Sequence, residues 1–367
     1  MKEVYKFRFL PEQGRIVLGP DYAPVKNPST GKEEYFAEGI VGDPLYQRIE
    51  EADRSFAQSS DRSLLAGWDS RYNKRIYTGA EIERAQLFVI QLFGASAAGE
   101  EFGTWYTDGV PNNDCGVFET NTRIYNPKKT KRCAISSRQV GPLRFPFQKM
   151  RKGCDIFMLW GGELVVSERL AQLIENGRFT GGRVQPIWNT GVDPKTMPSL
   201  SDVPTGVELL RRAKEKGFGP ADKVYWSWLE EDAQLPLLDK ALWEQMELQQ
   251  SRRAKASPAA SFAQLTIQST PLAVSEKTLF GSMPFRPGSG ESCNCEFGEV
   301  RGKGLLSPLS VIGSSWDGSD ICRSDFYLGS RGGLFRPWRP LVISKRLFDA
   351  MRQAKMKGFD FEVVEMV

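Results

Sequence analysis

Histidine is absent from all 367 residues. That omission excludes Ser-His-Asp and Cys-His catalytic triads and every His-ligated metal centre. Histidine is also the commonest general acid–base, so the balance moves from an enzyme toward a binding protein. Catalysis by carboxylates, Lys or Tyr is the chemistry left open. Long apolar runs are missing too. The run from Leu87 to Phe93 is interrupted by Gln91 and falls far short of the ~20 residues that span a bilayer. The opening segment, MKEVYKFRFLPEQGRIVLG, has neither a signal-peptide apolar core nor a small-residue cleavage site. A cytoplasmic protein outside the membrane is the expectation. There is no phosphate-binding glycine loop and no dinucleotide fingerprint, because Gly161-Gly162 and Gly332-Gly333 lack the spacing. No cofactor is expected.

Cysteine is sparse: Cys115, Cys133, Cys154, Cys293, Cys295 and Cys322. In a chain of this size without a signal peptide, reduced thiols are the expectation. What is present is enough apolar side chain, 40%, for a buried core in each of two domains. Charge is unevenly placed. Ten basic residues and no acid lie between Thr120 and Cys154, against a net of +4 for the chain, so the remainder sums to −6. Lys128, Lys129, Lys131, Arg132, Lys149, Arg151 and Lys152 are the core of this segment. It suits phosphates or an acidic protein face; a solvated, aggregation-resistant loop is the plainer reading.

Local patterns predict a short helix over Asp43 to Ala57 and a buried strand within Ala85 to Gly94. Residues 205–217 and 241–255 read as helices, and 257–264 (SPAASFAQ) as a linker or turn.

The strongest pattern is a duplication. Residues 164–187, LVVSERLAQLIENGRFTGGRVQPI, align without gaps with residues 341–364, LVISKRLFDAMRQAKMKGFDFEVV. Leu164/Leu341, Val165/Val342, Ser167/Ser344, Arg169/Arg346, Leu170/Leu347 and Gly181/Gly358 are identical, and each copy follows an Asp-Ile pair, Asp155-Ile156 and Asp320-Ile321. The β-branched runs suit buried strands. Ser167 and Ser344 sit where a hydroxyl caps a helix. Leu170, Leu173 and Ile174, and Leu347, Ala350 and Met351, recur at the spacing of one helical face. Gly181 and Gly358 follow each helix, where a positive φ costs glycine little. Each unit therefore reads strand, helix, strand.

At these residues the chain resembles the closing segments of bacterial immunity-type and double-CXXCG families of myxobacterial kind. The phrase VVSERLAQLIENGRFTGGRVQPI carries the likeness in the first half. CNCEFG, WDGSD and RPLVISKRLFDAMRQAKMKGFDFEVVEM carry it in the second. It covers about 85–190 and 265–367. It implies an immunity partner that neutralises a toxin by forming a protein complex. The families' CXXCG knuckles can hold zinc, but here Asp114-Cys115-Gly116 keeps one Cys and Cys293-Asn294-Cys295 has one-residue spacing. The knuckles are degenerate, and no metal is expected.

The expected build is mixed α/β, with two related lobes that each end in a strand–helix–strand unit. The lobes are residues 1–190 and 265–367, joined by a helical connector and linker over 191–264. The candidate partner contacts are Trp316, Asp317 and Asp320 of the WDGSD segment, with Arg331, Arg336 and Trp338 of the basic, aromatic run before Leu341. Arginine and tryptophan are typical of interface hot spots. The plainer readings are an Asx turn beside a buried Trp, and a hairpin-like loop. A nucleic-acid-binding protein using residues 120–154 and a carboxylate-based enzyme are the alternatives.

Overall fold

The computed structural model describes residues 1–9, 11–26, 33–60, 64–65, 73–92, 135, 139, 143–145, 153–159, 161–189, 258–281, 285, 287–288, 292–295, 298–302, 304–329 and 337–367. The fold is mixed α/β. The N-terminal part runs β1 (Lys2–Phe9), α1 (Pro11–Leu18), β2 (Val25–Lys26), β3 (Glu33–Ile40), α2 (Pro44–Ser60) and β4 (Asn73–Ile76). These strands form one sheet in the order β2-β3-β1-β4. Tyr5, Phe7 and Phe9 alternate along β1 and pack with Val17, Ile49 and Tyr35 into a core of its own, as the period-2 pattern of a half-buried strand requires. The helix expected from Asp43 forms over Pro44–Ser60, with Asp43 accepting from the Tyr46 N–H at 2.6 Å.

Helix α3 (Gly79–Arg84) leads into β5 (Leu87–Leu92), whose first four residues are buried. Beyond it lie β6 (Arg144–Phe145), β7 (Ile156–Met158), β8 (Leu164–Ser167), α4 (Glu168–Asn176) and β9 (Gly182–Asn189). Then come β10 (Pro258–Ile267), β11 (Phe280–Gly281), β12 (Ser292–Cys295), β13 (Gly298–Arg301), β14 (Gly304–Leu305), β15 (Ser310–Val311), β16 (Ile321–Arg323), β17 (Leu341–Ser344), α5 (Lys345–Gln353) and β18 (Phe359–Met366).

Two five-stranded sheets follow, ordered β6-β9-β10-β8-β7 and β15-β18-β5-β17-β16. They match strand for strand. In both, the first pair is parallel and the remaining pairs are antiparallel. The central strands are exchanged between the halves. β5 precedes the first repeat in sequence, yet pairs with β17 and β18 of the second. β10 precedes the second repeat, yet pairs with β8 and β9 of the first.

This overturns the linker reading of 257–264: residues 258–267 are the middle strand of a sheet. Small, polar composition suggested a connector. Pairing on both sides, with Ala263 and Leu265 in the core, decides otherwise. The helices expected over 205–217 and 241–255 lie outside the described residues, as does the rest of the connector, 191–257.

The shared core lies between the sheets and the two repeat helices. Phe88 of β5 stacks on Phe348 of α5 at 3.8 Å between ring centroids, and Phe361 of β18 meets Phe348 edge-on at 4.6 Å. Both repeat units have the predicted strand–helix–strand order. Their buried stripe is turned slightly from the one read off the sequence: Leu170, Ala171 and Ile174 in α4, and Leu347, Phe348 and Met351 in α5. Leu173 and Ala350 instead line a groove between the helices.

Candidate functional site

The duplicated residues build a two-fold clasp, and Asp320 belongs to it. Ser167 and Ser344 cap α4 and α5 by accepting from the Leu170 and Leu347 N–H groups. Each hydroxyl in turn donates to the aspartate of its own repeat, Ser167 to Asp155 at 2.7 Å and Ser344 to Asp320 at 2.6 Å. The second carboxylate oxygen reaches across to the other repeat. Asp320 accepts from the Thr180 N–H at 2.9 Å, and Asp155 from the Lys357 N–H at 2.8 Å. Arg346 donates to the Gly177 carbonyl at 3.2 Å, and Arg169 to the Ala354 carbonyl at 2.8 Å. Each of these four kinds of bond is made in both halves, the arrangement of a self-complementary dimer interface, although Arg346 also hydrogen-bonds Asp320 whereas Arg169 stands 3.8 Å from Asp155.

The glycines fit the same scheme. Gly181 (φ 85°) and Gly358 (φ 103°) lie against the carbonyls of Ile321 and Ile156, where a Cβ would come within 2.3 and 2.6 Å.

Asp320 is only 4% exposed. Burial pushes its carboxyl up, but hydrogen bonds from Arg346, Ser344 and the Thr180 N–H outweigh this and hold it at about 2. As a partner contact Asp320 is therefore misplaced: its oxygens are occupied inside the protein. Asp317 is exposed and accepts from the Ser319 N–H at 2.9 Å, the Asx turn considered for this segment. The Trp316 indole N–H donates to the Ser319 carbonyl at 2.9 Å, and its ring packs on the second sheet's core.

Trp338 lies elsewhere. It exchanges backbone hydrogen bonds with Leu328 at 2.7 and 2.8 Å and lines a cavity of about 140 Å³. Leu164, Leu328 and Leu341 supply apolar walls, while Gln91, Arg339 and Glu362 supply polar groups. Glu362 is buried in an ionic network below the cavity. Its carboxylate accepts from Arg75 at 2.5 Å and also from Gln91, and Arg75 is shared with Glu3. Burial raises the Glu362 pKa against the opposing pull of Arg75. Arg331 and Arg336 lie outside the described residues, as do Lys128, Lys129, Lys131, Arg132, Lys149, Arg151 and Lys152. The sequence-predicted contacts that can be located therefore divide between the WDGSD corner and the Trp338 cavity.

A third feature was not anticipated. The outer face of the N-terminal sheet presents Val25, Phe36, Ile40 and Ile76, exposed by 54, 40, 41 and 48%. Strand register places them on one side, through the pairs Val25–Glu34, Arg8–Phe36, Val4–Ile40, Val4–Lys74 and Lys2–Ile76. Four basic residues (Lys2, Lys6, Arg8 and Lys74) and two acidic ones (Glu34 and Glu38) share this face. The alternation of β3 was visible in EEYFAEGI, but both of its faces carry apolar residues, so the pattern alone did not say which was covered.

Among the described residues, no three His, Cys, Asp or Glu side chains converge as a metal site. Cys322 is buried and free, its thiol pushed up to about 11 by burial. No helix among the described residues is long and apolar enough to cross a membrane.

Sheets and clasp together define an internally duplicated, strand-exchanged α/β protein. In comparisons with known proteins, no family model matches the chain, and no curated protein matches it significantly.

Proposed function

We propose that this chain is a non-catalytic, cytoplasmic binding protein of the immunity type, which neutralises a protein toxin by covering part of its surface. The observation that carries this reading is the set of exposed apolar side chains on the outer face of the N-terminal sheet, Val25, Phe36, Ile40 and Ile76. These side chains lie on β2, β3 and β4, interleaved with exposed Lys2, Lys6 and Lys74, and such a mixture of apolar and charged groups is that of a non-obligate protein interface. The partner surface that fits it mixes apolar and acidic groups. Blockade is then steric, with charge steering the encounter. The basic excess on this face and the absence of His-based chemistry agree with that role.

The test starts with the partner captured from the native host, purified and recombined with the pure chain. Titration calorimetry compares wild type with Phe36→Asp, Ile40→Asp and the control Ile312→Asp, a residue 43% exposed outside this sheet. The first two variants are expected to weaken the complex by roughly 30-fold or more, the scale of hot-spot loss, and the control to leave it unchanged. A complex indifferent to Phe36→Asp and Ile40→Asp removes this face from the mechanism. Failure of the wild-type chain to protect cells from the captured partner removes the immunity reading.

A further inference from the structure

Arg339 stands out among the polar groups of the Trp338 cavity. Its Cζ sits 4.6 Å from the centre of the Tyr327 ring, and its Nε is buried with no hydrogen-bond partner. No salt bridge to a carboxylate forms at Arg339 among the described residues. The acid lining the same cavity, Glu362, is already engaged by Arg75 and Gln91. A guanidinium carries five donors and cannot shed its charge, so leaving one of those donors buried without an acceptor is costly. A second arginine lies within its field. Burial, and then the neighbouring Arg339 charge, pull the Arg323 guanidinium below its usual range. The two like charges add to a positive potential that an anion relieves.

The rest of the cavity limits what that anion can be. Leu164, Leu328, Leu341 and Met158 line it together with Trp338, so the ligand needs an apolar body. Its volume, about 140 Å³, is on the scale of an apolar cavity that admits one benzene ring. Comparing the two repeats singles out the same residues. The register that matches Leu164 with Leu341 places Gly161 and Gly162 opposite Trp338 and Arg339. The matching sheet pairs Met158–Leu164 and Arg323–Leu341 place Met158 opposite Arg323. The Ser, Asp and Arg side chains of the clasp are the same in both halves, whereas Arg323, Arg339 and the Trp338 indole occur only in the second.

We infer that the cavity beside Trp338 is a binding site for a small monocarboxylate with an apolar, ring-sized body. Arg339 receives the carboxylate and the leucine walls hold the body. Glu362 stays bonded to Arg75 and takes no part. This site lies apart from the outer face of the N-terminal sheet and does not depend on the immunity reading.

Benzoate is the probe, with benzamide as its neutral counterpart and inorganic phosphate as an anion without an apolar body. Titration calorimetry on the full chain is expected to show one benzoate per chain, bound at least tenfold more tightly than benzamide or phosphate. Arg339→Met, verified as folded by its thermal transition, is expected to erase the preference for benzoate over benzamide, and Trp338→Ala to weaken both. If Arg339→Met does not fold, the wild-type comparison still decides. No benzoate binding, equal affinity for benzamide, phosphate binding as tightly, or an unchanged preference in a folded Arg339→Met each overturns the assignment.

Discussion

Replacing Asp320 by Asn tests the clasp most directly. The Asp320 carboxyl sits at about 2 in the folded chain, against roughly 3.9 in an unfolded one. Linkage converts that gap into roughly 2.5 kcal/mol of stability at neutral pH. An Asn has one acceptor oxygen where Asp320 uses two, for Ser344 and Arg346 on one side and Thr180 and Arg346 on the other. One buried donor is left unmatched, which costs about 1 kcal/mol more. Asp320→Asn should therefore lose roughly 3 kcal/mol in urea denaturation at pH 7.

The pH dependence has a definite sign. A depressed carboxyl stabilises the fold above its unfolded value and stops doing so as pH falls through its folded value. The gap between wild type and variant should therefore narrow from about pH 4 down to about pH 2. Asp155→Asn provides the internal comparison. Asp155 has the equivalent Ser and N–H partners, but Arg169 stands 3.8 Å away where Arg346 hydrogen-bonds Asp320, so a smaller loss, about 1 kcal/mol, is expected. A loss below about 0.5 kcal/mol for Asp320→Asn, the scale of an inert surface change, would refute the reasoning, and so would a gap that stays constant across the acid range.

Other consequences follow from the same geometry. Gly358→Ala places a Cβ 2.6 Å from the Ile156 carbonyl and should lower the thermal midpoint far more than Gly318→Ala. At Gly318 φ is 84° but nothing lies within 4 Å, so only a backbone cost of about 1 kcal/mol applies. Because β5 and β10 are exchanged, a protease site engineered within 191–257 and cut to completion should leave two fragments that co-elute in native gel filtration and part only in denaturant. Separation under native conditions would contradict the exchange. Arg75→Met strands Glu362 without its cation and should cost about 3–5 kcal/mol near pH 7.5. The folded-state pKa of Glu362 is raised, so that loss should shrink as pH falls and the carboxyl protonates. Denaturant midpoints at pH 5 and pH 7.5 measure the difference.

Local chemistry alone determined the repeat units of this protein. Ser167 and Ser344 as caps, the strands before them and the glycines after the helices all depend on residues within one or two turns of each other, and their spacing is written in the chain. The same holds for the helix after Asp43 and the buried strand at 87–92. The tertiary structure decided what those units pair with. Nothing in PAASFAQLTI distinguishes a connector from a central strand, because the distinction rests on hydrogen bonds to β8 and β9 that start far earlier in the sequence. Asp320 read as a contact for the same reason: an acid beside a tryptophan looks exposed until Thr180, 140 residues away in sequence, closes over it. Arg339 and Glu362 share one cavity through strand order and exchange, which are long-range properties that no local pattern encodes.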